Sequence, residues 1–199
     1  MYKIGITGEM GSGKSYICSL FQNLGVAIYN SDQRLKDIQN SDPELRKMII
    51  DILGEESYDG SVLNRKWVSG VVFNDSEKLS KLQSIVTPFQ LSDFNRFCEE
   101  HQSDVFVLIE SAILYETGWN EFVDFTIYVQ VPESKRIQRA QKRDGITPEE
   151  YKARMKNQVP IFYKAKDSTW IVHNFTDEPK DKLVKKIYDE IIDGSKFSK

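Results

Sequence analysis

The chain has 199 residues, enough for one domain with room for an insertion. Its 27 basic and 30 acidic residues nearly balance, which argues against broad nucleic-acid binding, since that shows as a basic excess. No apolar run reaches the roughly 18 residues of a membrane span, and the glycine-rich start "MYKIGITGEM" lacks a signal peptide's long apolar region. Cys18 and Cys98 stand at no metal-ligand spacing and read as reduced thiols of a cytoplasmic protein.

In chain order, residues 3–7 lean to strand, and the glycine-dense "GEMGSGKS" follows at 8–15. From Lys14 the apolar spacing turns helical, with Ile17, Leu20, Phe21 and Leu24 on one face and Gly25 ending the helix. "VAIY" at 26–29 is a second strand with Asp32 just beyond it. "DQRLKDIQ" and "PELRKMIIDIL" are helices, the second opened by Pro43, and the Asp-Gly of "SYDGSVLN" marks a turn. Residues 64–101 read as helix, interrupted near Thr87-Pro88. Three more strands, "VFVLIE", "FTIYVQV" and "STWIVHN", follow, separated by two charged helical stretches, "PESKRIQRAQKRD" and "TPEEYKARMKNQ". The second of these has Thr147 as N-cap and Pro148 at its first position. "PKDKLVKKIYDEII" closes as an amphipathic helix, and the tail "DGSKFSK" is polar and expected to fray.

Strands alternating with helices predict an α/β fold with a mostly parallel five-stranded sheet of the P-loop NTPase type, flanked by helices. The core is expected at about 1–30 and 104–199, with a helical subdomain inserted at about 31–103 and a helical lid at about 133–166. No confident strand falls between 31 and 104.

The segment 8–15 matches Gly-x-x-x-x-Gly-Lys-Ser, and its strand–loop–helix context is what a phosphate cradle requires. Backbone N–H groups and a helix N-terminus hold phosphate oxygens there, and side chains would block the approach. Lys14 would reach the β- and γ-phosphates of a nucleoside triphosphate, and the Ser15 hydroxyl would hold Mg²⁺. Asp32 can take an acceptor's hydroxyl proton or reach the metal through water, and it can also be the N-cap of the helix it precedes, two roles that are compatible. Glu110, ending its strand, is equally a water-mediated metal contact or a capping or salt-bridged carboxylate. Arg136, Arg139 and Arg143 fall near one helix face, with Arg154 and Lys156 on the next helix, a basic hairpin suited to covering a triphosphate. His101 and His173 receive no catalytic role, and Trp67, Trp119 and Trp170 read as packing residues. Two further readings stay open at this point: a kinase for another small hydroxyl acceptor, and a nucleotide-binding switch, although no Asn-Lys-x-Asp guanine motif is present.

The ordered set "IGITGEMGSGKS", "LFQNLGVAIYNSD", "DGSVLNRKWVSGVVFND", "IESAILYETGWNEFVD", "RIQRAQKRDGITPEEYKARMKNQ" and "WIVHN" resembles the dephospho-coenzyme A kinases along nearly the whole chain. The resemblance implies transfer of the ATP γ-phosphate to the ribose 3′-hydroxyl of dephospho-coenzyme A, the last step of coenzyme A synthesis. It implies ATP contacts from Gly8, Glu9, Met10, Gly11, Ser12, Gly13, Lys14, Ser15 and Tyr16, lid contacts from Arg139 and Arg143, and Asn174 near the donor adenine. Lys14, Arg139 and Asp32 would serve the chemistry, Asp32 standing as the second aspartate of the family's "D-A-D". The inserted subdomain becomes the acceptor-binding region, with Arg65 in "L-D-R" and Leu114, Tyr115 and Glu116 in "L-L-F-E". No nucleic acid, membrane or obligatory protein partner is implied. The sequence departs from the family at Asn30, the first "D-A-D" position; at Asn64 in "L-D-R"; at Thr87 of "H-P"; at His173 of "V-I-D-N"; and at Glu9, where glycine is common.

Overall fold

The computed structural model describes all residues except 74, 157, 159 and 195–199, together with all side chains of the described residues except Phe73, Ile161 and Phe162. Most of the tail expected to fray therefore lies outside the described residues. The chain forms two compact units, 1–29 with 101–199, and 30–100.

The elements run β1 (Tyr2–Thr7), α1 (Lys14–Gln22), β2 (Ile28–Asn30), α2 (Ser31–Ser41), α3 (Pro43–Leu53), β3 (Tyr58–Asp59), β4 (Val62–Leu63), α4 (Arg65–Phe73) and α5 (Ser76–Glu100). They continue with β5 (Phe106–Glu110), β6 (Phe125–Gln130), α6 (Glu133–Asp144), α7 (Pro148–Met155), α8 (Ile161–Asp167), β7 (Trp170–His173) and α9 (Lys180–Ile192).

In the larger unit the five-stranded sheet has the order β2-β5-β1-β6-β7, and β1 pairs parallel with both β5 and β6, as β6 does with β7. β1, β5 and β6 are buried runs, because helices cover a parallel sheet on both faces, whereas the edge strand β7 alternates, with Ile171 and His173 exposed. Ile4, Ile6, Leu108, Ile127 and Val129 are fully buried and pack with Ile17 and Phe21 of α1 and Val184 of α9. β1 lies between β5, which follows the insertion, and β6, so the loop leaving β1 sits at a switch in strand order, where α/β sheets open a ligand crevice. Trp119 is buried and stacked on Tyr29, and Trp170 is buried and donates from Nε1 to Glu190 at 2.9 Å, so both are packing residues as expected. α7 begins with a full capping box, Thr147 and Glu150 each bonding the other's backbone N–H, with Pro148 in the first turn. The short helix α8 was not read from the sequence; it opens directly after Pro160.

The smaller unit is built on α3 and α5. Leu45, Ile49 and Leu53 pack with Tyr58, Leu63, Val68 and Val86, and Trp67, Leu82, Ile85 and Phe89 lie partly buried against them. Two sequence expectations are corrected here. First, α5 is continuous from Ser76 to Glu100 through Pro88, without the expected interruption. Pro88 removes one helical hydrogen bond and costs about 3 kcal/mol. The apolar residues on both sides of it, however, each gain about 1.5–3 kcal/mol from burial against α3. Second, β3 and β4 form a two-residue antiparallel ladder around Asp59-Gly60, in the span expected to hold no strand. Arg34 and Arg96 both bond the buried carboxylate of Asp93, tying α2 to α5.

Candidate active site

β1 delivers the chain into residues 8–13, and α1 begins at Lys14. Gly11 and Gly13 have φ of 83° and 85°, the left-handed region that glycine enters without a steric penalty. Crowding adds a second constraint: a Cβ on Gly11 would sit 2.6 Å from the carbonyl oxygen of Arg136, and one on Gly13 would run into Nδ2 of Asn174. The loop is thus pressed against α6 and the end of β7, and only glycine backbone fits.

Three side chains fix the loop from that side. Asn174 donates from Nδ2 to the Ser12 carbonyl at 2.8 Å. Arg139 donates to the carbonyls of Gly11 and Ser12 at 3.3 and 3.4 Å and to that of Asn174 at 3.0 Å. Tyr151 donates its hydroxyl to the Met10 carbonyl at 3.0 Å. With these carbonyls engaged, the loop holds its shape before any ligand arrives. The Ser12 N–H closes a turn on the Glu9 carbonyl at 3.0 Å.

Lys14 folds back over the loop and donates to the Gly8 carbonyl at 2.8 Å. Ser15 donates its hydroxyl to Glu110 Oε1 at 2.8 Å. The parallel pairing of β1 with β5 puts Ile6 beside Glu110, so this carboxylate and the loop leave the sheet at the same end. Both Ser15 and Glu110 supply hard oxygens, which fits Mg²⁺, a cation that keeps several waters and takes its other ligands from phosphate. Among the described residues no cluster of three or more His, Cys, Asp or Glu could enclose a metal by itself. Behind the loop, burial and the nearby Glu110 carboxylate push the Cys18 thiol far up, so it stays protonated and inert.

The arginines divide. Arg136, expected on a phosphate-facing surface, is 3% exposed and points into the core, bonding the Tyr151 hydroxyl at 2.9 Å and lying 3.6 Å from Glu9 Oε2. Arg143 is exposed and forked onto its neighbour Asp144 at 2.8 and 2.7 Å, which raises the guanidinium's pKa and lowers that of the carboxyl. Tyr16 is an exposed residue of α1. Leu114 is fully buried against Gly5 of β1. The Tyr115 hydroxyl reaches Thr126 and Ser168 at 3.4 Å, and Glu116 pairs with Lys164 at 2.7 Å.

In the smaller unit, the N-cap of α2 is Asn30, whose side chain accepts from Gln33 N–H at 2.9 Å, so the capping alternative for Asp32 falls away. Asp32 is an exposed residue of the helix's first turn, and its carboxylate bonds no described residue. Asn64 accepts from Trp67 N–H at 3.1 Å ahead of α4. Asn30 and Asn64 both depart from the resembled family's aspartates, and both do a job that Asn and Asp perform equally well. Arg65 opens α4 in the next position, its pKa lowered by partial burial.

The sequence named Glu9 as an ATP contact of the loop but not the place its side chain takes. It is a charged loop residue, yet it is 3% exposed and accepts from the Tyr128 hydroxyl at 2.8 Å. Burial, then the Glu9 charge and hydrogen bond, raise the Tyr128 pKa strongly. The only signal in the sequence was an acidic residue where glycine is common.

A glycine cradle at the strand-order switch, with lysine and a hydroxyl opening the next helix, defines the P-loop kinase class. The sequence profile described as Dephospho-CoA kinase matches residues 2–179, and the chain belongs to that family. A dephospho-CoA kinase of Porphyromonas gingivalis is 35% identical over 158 residues, covering 79% of this chain and 78% of the relative. One of Bacteroides fragilis is 32% identical over 177 residues, covering 89% and 86%. Among solved structures, a Thermus thermophilus protein superposes with a TM-score of 0.80 at 27% identity, covering 100% of this chain and 98% of its own.

Proposed function

We propose that this chain transfers the γ-phosphoryl group of ATP to the ribose 3′-hydroxyl of dephospho-coenzyme A, with residues 8–15 as the donor cradle and Asp32 as the base. Family membership supports the substrate pair. The observation that carries the residue roles is the pre-shaped loop, whose carbonyls are tied back by Arg139, Asn174 and Tyr151 while Lys14 and Ser15 stand at its open end.

Phosphoryl transfer needs little covalent help from the protein; it needs alignment and charge stabilisation. The amides of the loop and of the first turn of α1 bind the donor phosphates, and the helix dipole favours the same anion. Lys14 exchanges its loop carbonyls for the β- and γ-phosphate oxygens, neutralising charge as it moves to the leaving side. Ser15 would hold Mg²⁺ directly and Glu110 through water, and a cation held there would supply charge neutralisation for the donor phosphates. Arg139 acts through the loop it braces, and Arg143 leaves Asp144 to hold the donor phosphates. Asp32, exposed and released from capping by Asn30, takes the 3′-hydroxyl proton. Arg65 supplies positive charge to the acceptor, and within residues 114–116 Tyr115 and Glu116 form part of its binding wall while the buried Leu114 supports them from behind. Asn174, besides bracing Ser12, borders the adenine. We place the enzyme in the cytoplasm, where its two buried cysteines, Cys18 and Cys98, would stay reduced.

Purified protein with ATP and Mg²⁺ tests this reading. ADP release should be fast with dephospho-coenzyme A and slow with a panel of nucleosides and nucleoside monophosphates. Preference for a member of the panel would reassign the acceptor, and tight ATP binding without ADP release would remove the kinase reading.

A further inference from the structure

Four charges, three of them buried and Glu116 half-buried, lie together behind the loop: Glu9 after β1, Arg136 on α6, Lys164 on α8 and Glu116 in the segment after β5. Lys164 is fully buried, 2.7 Å from Glu116 Oε1 and 3.8 Å from Glu9 Oε1. Glu9 is in turn set by the Tyr128 hydroxyl at 2.8 Å and faces Arg136 at 3.6 Å. Two anions and two cations compensate one another, and a buried charge stays ionised only with such partners. None of the four is used directly on a phosphate in the mechanism above.

The cluster spans two places that the reaction treats separately. Glu9 is part of the donor loop. Glu116 closes the stretch of residues 114–116 that the proposed function places at the acceptor. We propose that Lys164 and Glu9 are positioning residues that couple the two: the ammonium group, held between both carboxylates, fixes the acceptor wall in register with the phosphate cradle. This rests on the acceptor assignment made above.

The coupling follows from charge balance. If Glu9 loses its charge, Arg136 loses its carboxylate partner in the cluster, and the Lys164 ammonium keeps only Glu116 and is drawn wholly to that side. Glu116 then shifts although nothing near it was changed. A change in the donor loop therefore reads out as weaker acceptor binding, which a local loosening of the loop would not produce.

The test is Glu9→Gln, which keeps the side-chain length and an acceptor for Tyr128 while removing the charge. Steady-state acceptor KM and equilibrium affinity for a non-hydrolysable ATP analogue are measured side by side. The expected result is an acceptor KM raised at least about fivefold, the low end of ordinary coupling between sites, and by a clearly larger factor than any loss of analogue affinity. An acceptor KM within about twofold of wild type, or KM and analogue affinity worsening by the same factor, would overturn the coupling. If Glu9→Gln does not fold, Tyr128→Phe, which removes only the hydroxyl that orients Glu9, is judged by the same criteria. The wild-type assay alone decides whether dephospho-coenzyme A is the acceptor, and the variant-to-wild-type ratio alone decides the coupling.

Discussion

Gly13→Ala puts the smallest side chain where the loop has least room. Gly13 sits at φ 85° and ψ 31°, a conformation costing an L-residue about 1–2 kcal/mol. The new methyl group would also run into Asn174 Nδ2, which donates to the Ser12 carbonyl at 2.8 Å in a buried setting. Losing that bond while its partners stay buried costs about 1–3 kcal/mol more, giving a total of about 2–5 kcal/mol. If the loop keeps its shape, the strain lowers thermal stability, by about 2–4 °C per kcal/mol for a chain of this size. If the loop escapes by moving, the cost passes to nucleotide binding, roughly 30-fold or more in ATP affinity. Scanning calorimetry and titration with ATP distinguish the routes. A variant with Tm within about 2 °C and ATP affinity within about threefold of wild type would refute the claim that packing against Asn174 shapes the cradle.

Asp32→Asn should lower turnover by about 100-fold or more, the ordinary contribution of a general base, with ATP affinity nearly unchanged; turnover within about threefold would refute the assignment. Glu110→Gln removes the charge beside Ser15 and should raise the Mg²⁺ concentration needed for half-maximal turnover, read from a Mg²⁺ titration at saturating ATP. Asn64→Ala should cost about 1 kcal/mol through loss of a helix cap, seen as a Tm lower by about 2–4 °C, whereas Asn64→Asp should be nearly neutral. Asp144, with its carboxyl pKa lowered chiefly by the hydrogen bond from Arg143, stabilises the fold above the ordinary carboxylate pKa. That contribution is lost as pH falls through the lowered value, so Asp144→Asn should lower Tm slightly near neutral pH, by a difference that disappears in acid, and the loss should be small because the pair is exposed.

The parts of the molecule legible in the sequence were those governed by local rules. Residues 8–15 announce a phosphate loop because backbone amides near an anion demand glycine at fixed spacing, and the loop lies between β1 and α1 as that spacing requires. The capping box of α7 is written in Thr147, Pro148 and Glu150, three neighbours in sequence. What escaped depended on distant partners. Pro88 would stop a helix in isolation, but the packing of α5 on α3 overrides it. Arg136 and Arg139 are three residues apart and look alike; one is buried on Glu9 and Tyr151, the other braces the Gly11 and Ser12 carbonyls. No pattern within α6 separates them, because the separation is made by β1, α7 and β7. Lys164 was invisible for the same reason, its two carboxylate partners lying 155 and 48 positions away along the chain.

The most direct test of the account uses 3′-deoxy-dephospho-coenzyme A, an acceptor complete except for the oxygen assigned as nucleophile. It should compete with dephospho-coenzyme A for binding and support no ADP release above the rate with ATP and Mg²⁺ alone. ADP release at the rate of the natural acceptor, with phosphate appearing elsewhere on the analogue, would contradict it.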